Sequence, residues 1–182
     1  MCWEQALELL EDCKMRATPD TISYSAAITA CEKGGQQHHA VALLQSMCIQ
    51  KIWPSTTSFN AAISACVQGK CWEQALELLE ECKMWGTLNT ISYNAAITAC
   101  EKGGQSHHAV ALLQNMRTQK IWPNTTSYNA AISSCAQGRC WEQALELLEE
   151  CKMWATPDTI SYNAAITACE KGGQQHHAVA LL

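Results

Sequence analysis

The sequence has no long apolar run and no excess of basic residues. Its hydrophobic stretches fall far short of the roughly 20 residues that a transmembrane helix needs, so no membrane span is predicted. No signal or transit peptide is visible at its start. The net charge is −5 and 16% of the residues are charged, which argues mildly against broad, charge-driven binding to nucleic acid. Local charge on one surface would decide that question.

The sequence also lacks an asymmetric set of catalytic residues. It contains no recognisable nucleophile, base and acid, no phosphate-binding glycine loop and no carboxylate pair among non-repeating residues. An active site needs one asymmetric pocket, whereas every candidate residue here occurs two or three times. We therefore predict that this chain is not an enzyme and uses no cofactor.

The cysteines and histidines do not have the spacing of a metal site. Cys66 and Cys71, like Cys135 and Cys140, are separated by four residues, and no histidine lies nearby. Histidine pairs recur 69 residues apart, which is too far for a shared metal ion: His38-His39, His107-His108 and His176-His177. We predict no metal, and we interpret the cysteines as reduced, mostly buried thiols in an intracellular setting.

What the sequence does contain is a repeat. An aromatic residue recurs at steps of 35, 34, 35 and 34 residues: Tyr24, Phe59, Tyr93, Tyr128 and Tyr162. The segment CWEQALELLE begins at Cys2, Cys71 and Cys140, a strict step of 69 residues. Two slightly different units of 34 or 35 residues therefore alternate along the chain.

The repeating unit reads as a helical hairpin. In residues 90–124, the apolar positions of the predicted first helix share one face at helical spacing: Tyr93, Ala96, Ile97 and Cys100. The second helix repeats this spacing: Ala109, Leu112, Leu113 and Met116. Gly103-Gly104 supplies the turn between them, and Pro123 is predicted to close the second helix.

A period of this length with two helices is typical of an α-solenoid. We predict an all-α fold, a right-handed superhelix of stacked antiparallel hairpins that forms one continuous array. Its repeats are a partial one at 1–20, complete ones at 21–55, 56–89, 90–124 and 125–158, and a partial one at 159–182. Both ends cut through a repeat, so we expect a piece of a longer array whose severed apolar ends make self-association a risk.

The hairpin resembles the pentatricopeptide repeat family. It opens T-x-S-Y-N, carries Lys-Gly-Gly in its turn, has an alanine in its second helix with a methionine seven residues on, and closes with Pro-Asn or Pro-Asp. Tetratricopeptide repeats lack that closing pair. The resemblance covers the whole chain. It implies a modular binder of single-stranded RNA, one base per repeat, in an RNA-processing factor of a chloroplast or mitochondrion.

The resemblance also implies which residues read bases. In the family these are the residue after the aromatic and the last residue of the repeat, here Ser25 with Ser55, Asn60 with Asn89, Asn94 with Asn124, Asn129 with Asp158, and Asn163 without its partner. By the family's preferences Asn with Asp selects U and Asn with Asn a pyrimidine, whereas Ser with Ser has no clear reading. The same last residues are also favoured helix N-caps, so capping alone would explain them.

Two further sets follow from the resemblance. The residue two before the aromatic is expected to sandwich a base: Ile22, Thr57, Ile91, Thr126 and Ile160. A turn lysine is expected to contact phosphate: Lys33, Lys102 and Lys171. The alternate repeats have Gln68 and Gln137 at that position.

A protein-binding scaffold is the alternative hypothesis. Its groove would hold a peptide or a partner helix. Tryptophans at the repeat junctions could serve as anchors or could simply pack between repeats: Trp53, Trp85, Trp122 and Trp154. Binding to poly-U or poly-A RNA separates the two hypotheses.

Overall fold

The computed structural model describes residues 3–86 and 88–181. Within these ranges the chain forms helices of 6 to 14 residues joined by short turns: α1 Trp3–Arg16, α2 Thr21–Lys33, α3 Gln37–Ile49, α4 Thr56–Gly69, α5 Trp72–Met84, α6 Thr90–Lys102, α7 Ser106–Thr118, α8 Thr125–Gly138, α9 Trp141–Trp154, α10 Thr159–Lys171 and α11 Gln175–Ala180. None of these described helices is long and apolar enough to cross a membrane.

The chain divides into two compact units, residues 1–95 and 96–182, with the division inside α6. In the first unit α2 pairs with α3 and α4 pairs with α5, while α2 and α4 pack side by side. In the second unit α8 pairs with α9, and α8 and α10 pack side by side. Each of α1, α3, α7 and α9 also packs against the first helix of the following hairpin. This is the all-α, stacked-hairpin architecture of an α-solenoid.

The apolar stripe predicted for the hairpin is buried. On its first helix all four predicted residues are at most 2% exposed: Tyr93, Ala96, Ile97 and Cys100. On its second helix three of the four are at most 1% exposed: Ala109, Leu113 and Met116. The opening aromatics Tyr24, Phe59 and Tyr128 are fully buried, and burial of a side chain of this size is worth about 2 to 3 kcal/mol.

The paired glycines of the hairpin turn are needed for two different reasons. A Cβ atom at Gly34 would lie 2.6 Å from Cδ1 of Trp3, so the tryptophan of α1 packs directly on this turn. Gly35 has a φ of +68°, a left-handed conformation that glycine adopts without steric cost. The first glycine allows close packing and the second allows the chain to reverse.

The second helices end before the prolines that were predicted to close them. In the hairpin 90–124, α7 ends at Thr118 and Lys120 takes a left-handed φ of 59°. The amide of Ile121 then donates to the carbonyl of Met116 at 2.9 Å, which satisfies a carbonyl of the last turn. Pro123 follows this turn, so the helix is ended by the left-handed lysine and not by the proline.

Candidate nucleic-acid interface

A groove lies along the exposed side of α2 in the first unit. It encloses about 660 Å³ between α2 and the start of α4. Residues from all three predicted roles line it: Ile22, Ser25, Lys33, Ser55 and Thr57. Ile22 is 77% exposed, so an apolar side chain is open to solvent in a groove whose lining also includes hydroxyl groups and a lysine. Folding thus brings together side chains that lie up to 35 residues apart in the sequence.

The pair Ser25 and Ser55 meets through a third serine. Ser25 Oγ donates to the carbonyl of Thr21 at 2.7 Å and lies 3.3 Å from Ser55 Oγ. Ser58 Oγ lies 2.7 Å from Ser25 Oγ. Because Ser25 uses its only hydroxyl hydrogen on Thr21, Ser58 donates to Ser25. The two predicted base-reading hydroxyls therefore belong to one small cluster.

The pair Asn60 and Asn89 meets in the same way. The hydroxyl of Ser92 lies 2.7 Å from Asn60 Oδ1 and 3.0 Å from Asn89 Oδ1. The amide nitrogen of Ser92 also donates to Asn89 Oδ1 at 3.0 Å. Both asparagines are half-buried, with their oxygens held by one buried serine.

The pair Asn129 and Asp158 is in direct contact. Asn129 Nδ2 donates to Asp158 Oδ1 at 3.0 Å, and Ser161 Oγ donates to Asn129 Oδ1 at 2.5 Å. The backbone amide of Ser161 and the Asn129 side chain hold the pKa of Asp158 below its ordinary value. This carboxylate is exposed and stays ionised at neutral pH, so the pair presents both a donor and an acceptor.

The remaining predicted residues lie on the first helices or at their starts. Asn94 is half-buried in the first unit, and Asn124 lies exposed in the second unit. Asn163 is exposed on α10. The other predicted sandwiching residues are all exposed: Ile91, Thr126 and Ile160.

The last residues of the repeats also cap helices, as the alternative interpretation of the sequence predicts. Ser55, Asn124 and Asp158 are the N-caps of α4, α8 and α10, and each forms a reciprocal capping box with a serine three residues later. Such a cap contributes about 1 kcal/mol to stability. Capping does not use the whole side chain, because the hydrogen bonds that the Asp158 carboxylate accepts from Asn129 and Ser161 all go to Oδ1.

The predicted phosphate-binding lysines lie at one end of the first helices. They are the exposed last residues of α2, α6 and α10: Lys33, Lys102 and Lys171. Lys102 also lies 3.8 Å from the carboxylate of Glu101. In the first unit Lys33 lines the same groove as Ser25 and Ser55, at the C-terminal end of α2.

The turns of the alternate repeats have glutamine where the other turns have Lys33, Lys102 or Lys171, and their basic residue lies two positions further along the chain. The Gln68 amide donates to the carbonyl of Glu32 at 2.9 Å and thereby binds the neighbouring turn. Lys70 and Arg139 follow in left-handed conformations, with φ of 55° and 58°, which cost a non-glycine residue about 1 kcal/mol. The other turns have glycine at this position: Gly35, Gly104 and Gly173. Both kinds of turn therefore have one exposed basic side chain, which lies before the glycines in one kind and after the glycine in the other.

The junction tryptophans pair within each unit. The rings of Trp53 and Trp85 are 4.9 Å apart, and those of Trp122 and Trp154 are 6.0 Å apart. Trp53 and Trp122 remain 74% and 67% exposed. No cluster of three or more metal-ligating side chains occurs among residues 3–86 and 88–181.

Family models of one repeat type match the chain over residues 8–154. A pentatricopeptide repeat domain model matches residues 8–69, a PPR repeat family model matches 88–137, and a PPR repeat model matches 57–87 and 126–154. The chain belongs to the pentatricopeptide repeat family. A comparison with curated proteins gave no match.

Solved structures with the same pentatricopeptide fold are distant in sequence. The PPR domain of Arabidopsis thaliana protein-only RNase P 1 in complex with tRNA is 12% identical, with a TM-score of 0.69 over 84% of this chain and 83% of that one. PPR10 in complex with an 18-nt psaJ RNA element is 21% identical, with a TM-score of 0.75 over 90% of this chain and 24% of that one. Nuclear proteinaceous RNase P 2 from A. thaliana is 13% identical, with a TM-score of 0.76, and the matched part is 38% of its length.

Two sets of polar residues in this pentatricopeptide array were missed by the sequence analysis. One is the buried serine before the aromatic: Ser58, Ser92, Ser127 and Ser161. The T-x-S-Y-N motif marks its position, three residues after each N-cap. The other is the basic pair Lys70 and Arg139, for which the sequence signal is the change from Lys-Gly-Gly to Gln-Gly-Lys or Gln-Gly-Arg.

Proposed function

We propose that this chain binds single-stranded RNA, with one base held between the opening residues of neighbouring first helices. The groove on α2 carries the proposal. Ile22 and Thr57 line it together, and their methyl groups suit the two faces of a base. Ser25, Ser55 and Lys33 line the same groove. The two serine hydroxyls are proposed to bind the edge of that base, and the lysine to bind a phosphate. The likeness to PPR10, described in complex with an RNA element, supports this ligand class.

The pair Asn129 and Asp158 supports a preference for uracil. One Nδ2 hydrogen of Asn129 is used on Asp158 Oδ1, which leaves a second hydrogen on Nδ2 and the other carboxylate oxygen. Uracil offers a carbonyl acceptor next to its N3–H donor, so this donor and acceptor match its edge. With Asn60/Asn89 and Asn94/Asn124 reading pyrimidines as in the family, the proposed site is three adjacent pyrimidines, the last a U.

The proposed setting is a larger RNA-processing or RNA-expression factor of a chloroplast or mitochondrion. The family resemblance supports it. The chain spans 24% of PPR10 and 38% of nuclear proteinaceous RNase P 2, so the matched segments are parts of longer proteins. The role proposed for these residues is binding and not catalysis.

Direct binding tests the proposal. A labelled oligonucleotide with three adjacent pyrimidines should bind at low salt, and poly-A should bind more weakly. Asn129→Thr should move the preference at a single nucleotide toward G. Asn163→Thr changes the same residue type in the next copy and should leave that nucleotide's preference unchanged. An unchanged preference in Asn129→Thr would remove base reading by this pair.

The exposed tryptophans favour a second candidate, a scaffold for a protein partner. Trp53 and Trp122 are large, exposed and backed by a second tryptophan, which is typical of anchor residues at interfaces. Titration with poly-U and poly-A separates the candidates. No binding to either RNA at low salt would favour the protein partner.

A further inference from the structure

We infer that the serine before the aromatic of each repeat orients the base-reading side chain of the preceding repeat and so sets which base edge it accepts. The inference rests on the proposed function and adds a specificity-determining residue to it. It concerns Ser92 and Ser161 most directly, since each meets an asparagine. These serines do not touch the base, so they act as positioning residues.

The contacts repeat along the chain with similar geometry. Three serines, each fully buried, place their hydroxyl oxygen 2.5 to 2.7 Å from the reading atom of the repeat before: Ser58 on Ser25, Ser92 on Asn60 and Ser161 on Asn129. A buried hydroxyl that lacks a hydrogen-bond partner is destabilising, because it has lost its contacts with water. The serine and the asparagine therefore hold each other in one arrangement.

The direction of this hydrogen bond decides what the asparagine presents. Ser161 donates to Asn129 Oδ1, and Asn129 Nδ2 donates to Asp158 Oδ1. The amide oxygen is thereby held by the serine, and the free hydrogen on Nδ2 remains for a base. An amide turned by half a rotation would offer its oxygen instead and would accept from the amino group of cytosine. Where the amide meets position 4 of the base, an Nδ2 hydrogen suits the O4 carbonyl of uracil and not the N4 amino group of cytosine. At that position the buried hydroxyl favours uracil over cytosine.

Capping by itself does not explain these contacts. Ser23 occupies the same position in α2, where its hydroxyl lies 2.9 Å from the N-cap carboxylate Asp20. In the described part of the chain the Ser23 hydroxyl is hydrogen-bonded only to that N-cap. Ser161 makes the equivalent contact with Asp158 at 3.1 Å and adds the contact with Asn129. Ser23 is therefore a matched control that caps without orienting an asparagine.

The test compares base preference in Ser161→Ala, Ser161→Thr and Ser23→Ala. RNAs that differ by U or C at one position are titrated, and Asp158→Asn identifies the position that faces this pair. Paired contacts to a base edge discriminate between bases, so a parent preference for U of about tenfold should fall to about twofold in Ser161→Ala. Ser161→Thr keeps the hydroxyl and should restore the preference, while Ser23→Ala should leave it unchanged.

A second measurement needs no RNA. NOEs from the two Nδ2 hydrogens of Asn129 should report one orientation of the amide group in the parent and two orientations in Ser161→Ala. A single unchanged amide orientation, or an unchanged U to C ratio, in Ser161→Ala would overturn the inference while RNA binding itself stood. A folded parent that binds no RNA would instead refute the proposed function, and base selection by these serines with it.

Discussion

Replacing Arg117 by cysteine tests a polar cluster in the second unit. Arg117 Nη2 donates to the hydroxyl of Tyr128 at 2.5 Å and to the carboxylate of Glu150 at 2.7 Å. The guanidinium carbon also lies 5.9 Å from the ring centre of Trp154. Cysteine is chosen because it occupies the equivalent position in the first unit. The residues 69 positions earlier are Cys48, Phe59, Glu81 and Trp85.

The magnitude follows from the burial of the partners. Tyr128 is fully buried, so Arg117→Cys leaves its hydroxyl without a donor at a cost of about 1 to 3 kcal/mol. The half-exposed ion pair with Glu150 adds less than about 1 kcal/mol. A total of about 2 kcal/mol corresponds to a fall of roughly 4 to 8 °C in the melting temperature of a chain of this length. Tyr128→Phe in the Arg117→Cys background should recover about half of that loss, because it removes the unpaired hydroxyl.

Thermal unfolding of the parent, both single variants and the double variant gives the coupling between the two residues. We expect a coupling of about 1 kcal/mol or more. The matched control is Phe59→Tyr, which adds the same hydroxyl where no arginine faces it and should destabilise the chain. Additive effects of Arg117→Cys and Tyr128→Phe would refute the assigned hydrogen bond.

Three further predictions test other features. Ser134→Ala removes a buried hydroxyl that has no hydrogen-bond partner within the described chain, so calorimetry should show unchanged stability or a gain of up to about 1 kcal/mol; a clear loss would contradict this. Arg139→Gly should reduce the salt dependence of log Kd for RNA by about 0.7, whereas Lys120→Gly, also left-handed, should not; equal slopes would exclude a phosphate contact by Arg139. Burial raises the pKa of the Cys66 and Cys135 thiols to about 12. Both thiols are protonated in the folded and unfolded chain below pH 9, and above it the unfolded chain loses protons first, so stability should fall as pH rises from about 9. Mass spectrometry should also find both unlabelled by iodoacetamide at pH 8 in the folded protein, and rapid labelling would contradict their burial.

The helices were predicted from local sequence patterns, and the prediction was wrong where a local pattern allowed two interpretations of a helix end. Tyr93, Ile97 and Cys100 were correctly assigned to one buried face, because helical spacing alone determines that face. Pro123 was a plausible helix terminator, but Lys120 ends the helix first by adopting a left-handed conformation. Lysine rarely adopts a left-handed conformation, so the sequence around Lys120 does not indicate that the helix ends there.

The sequence by itself determined the all-α class, the hairpin of 34 or 35 residues and the positions that are candidates for reading a base. These properties depend on spacing and turn chemistry within one repeat. Only the tertiary structure decided that the Ser161 hydroxyl binds Asn129 and that Ile22 and Thr57 line one groove. Ser161 and Asn129 are 32 residues apart, and they meet because neighbouring first helices pack side by side. The direction of a buried hydrogen bond depends on that packing distance, which no single repeat contains.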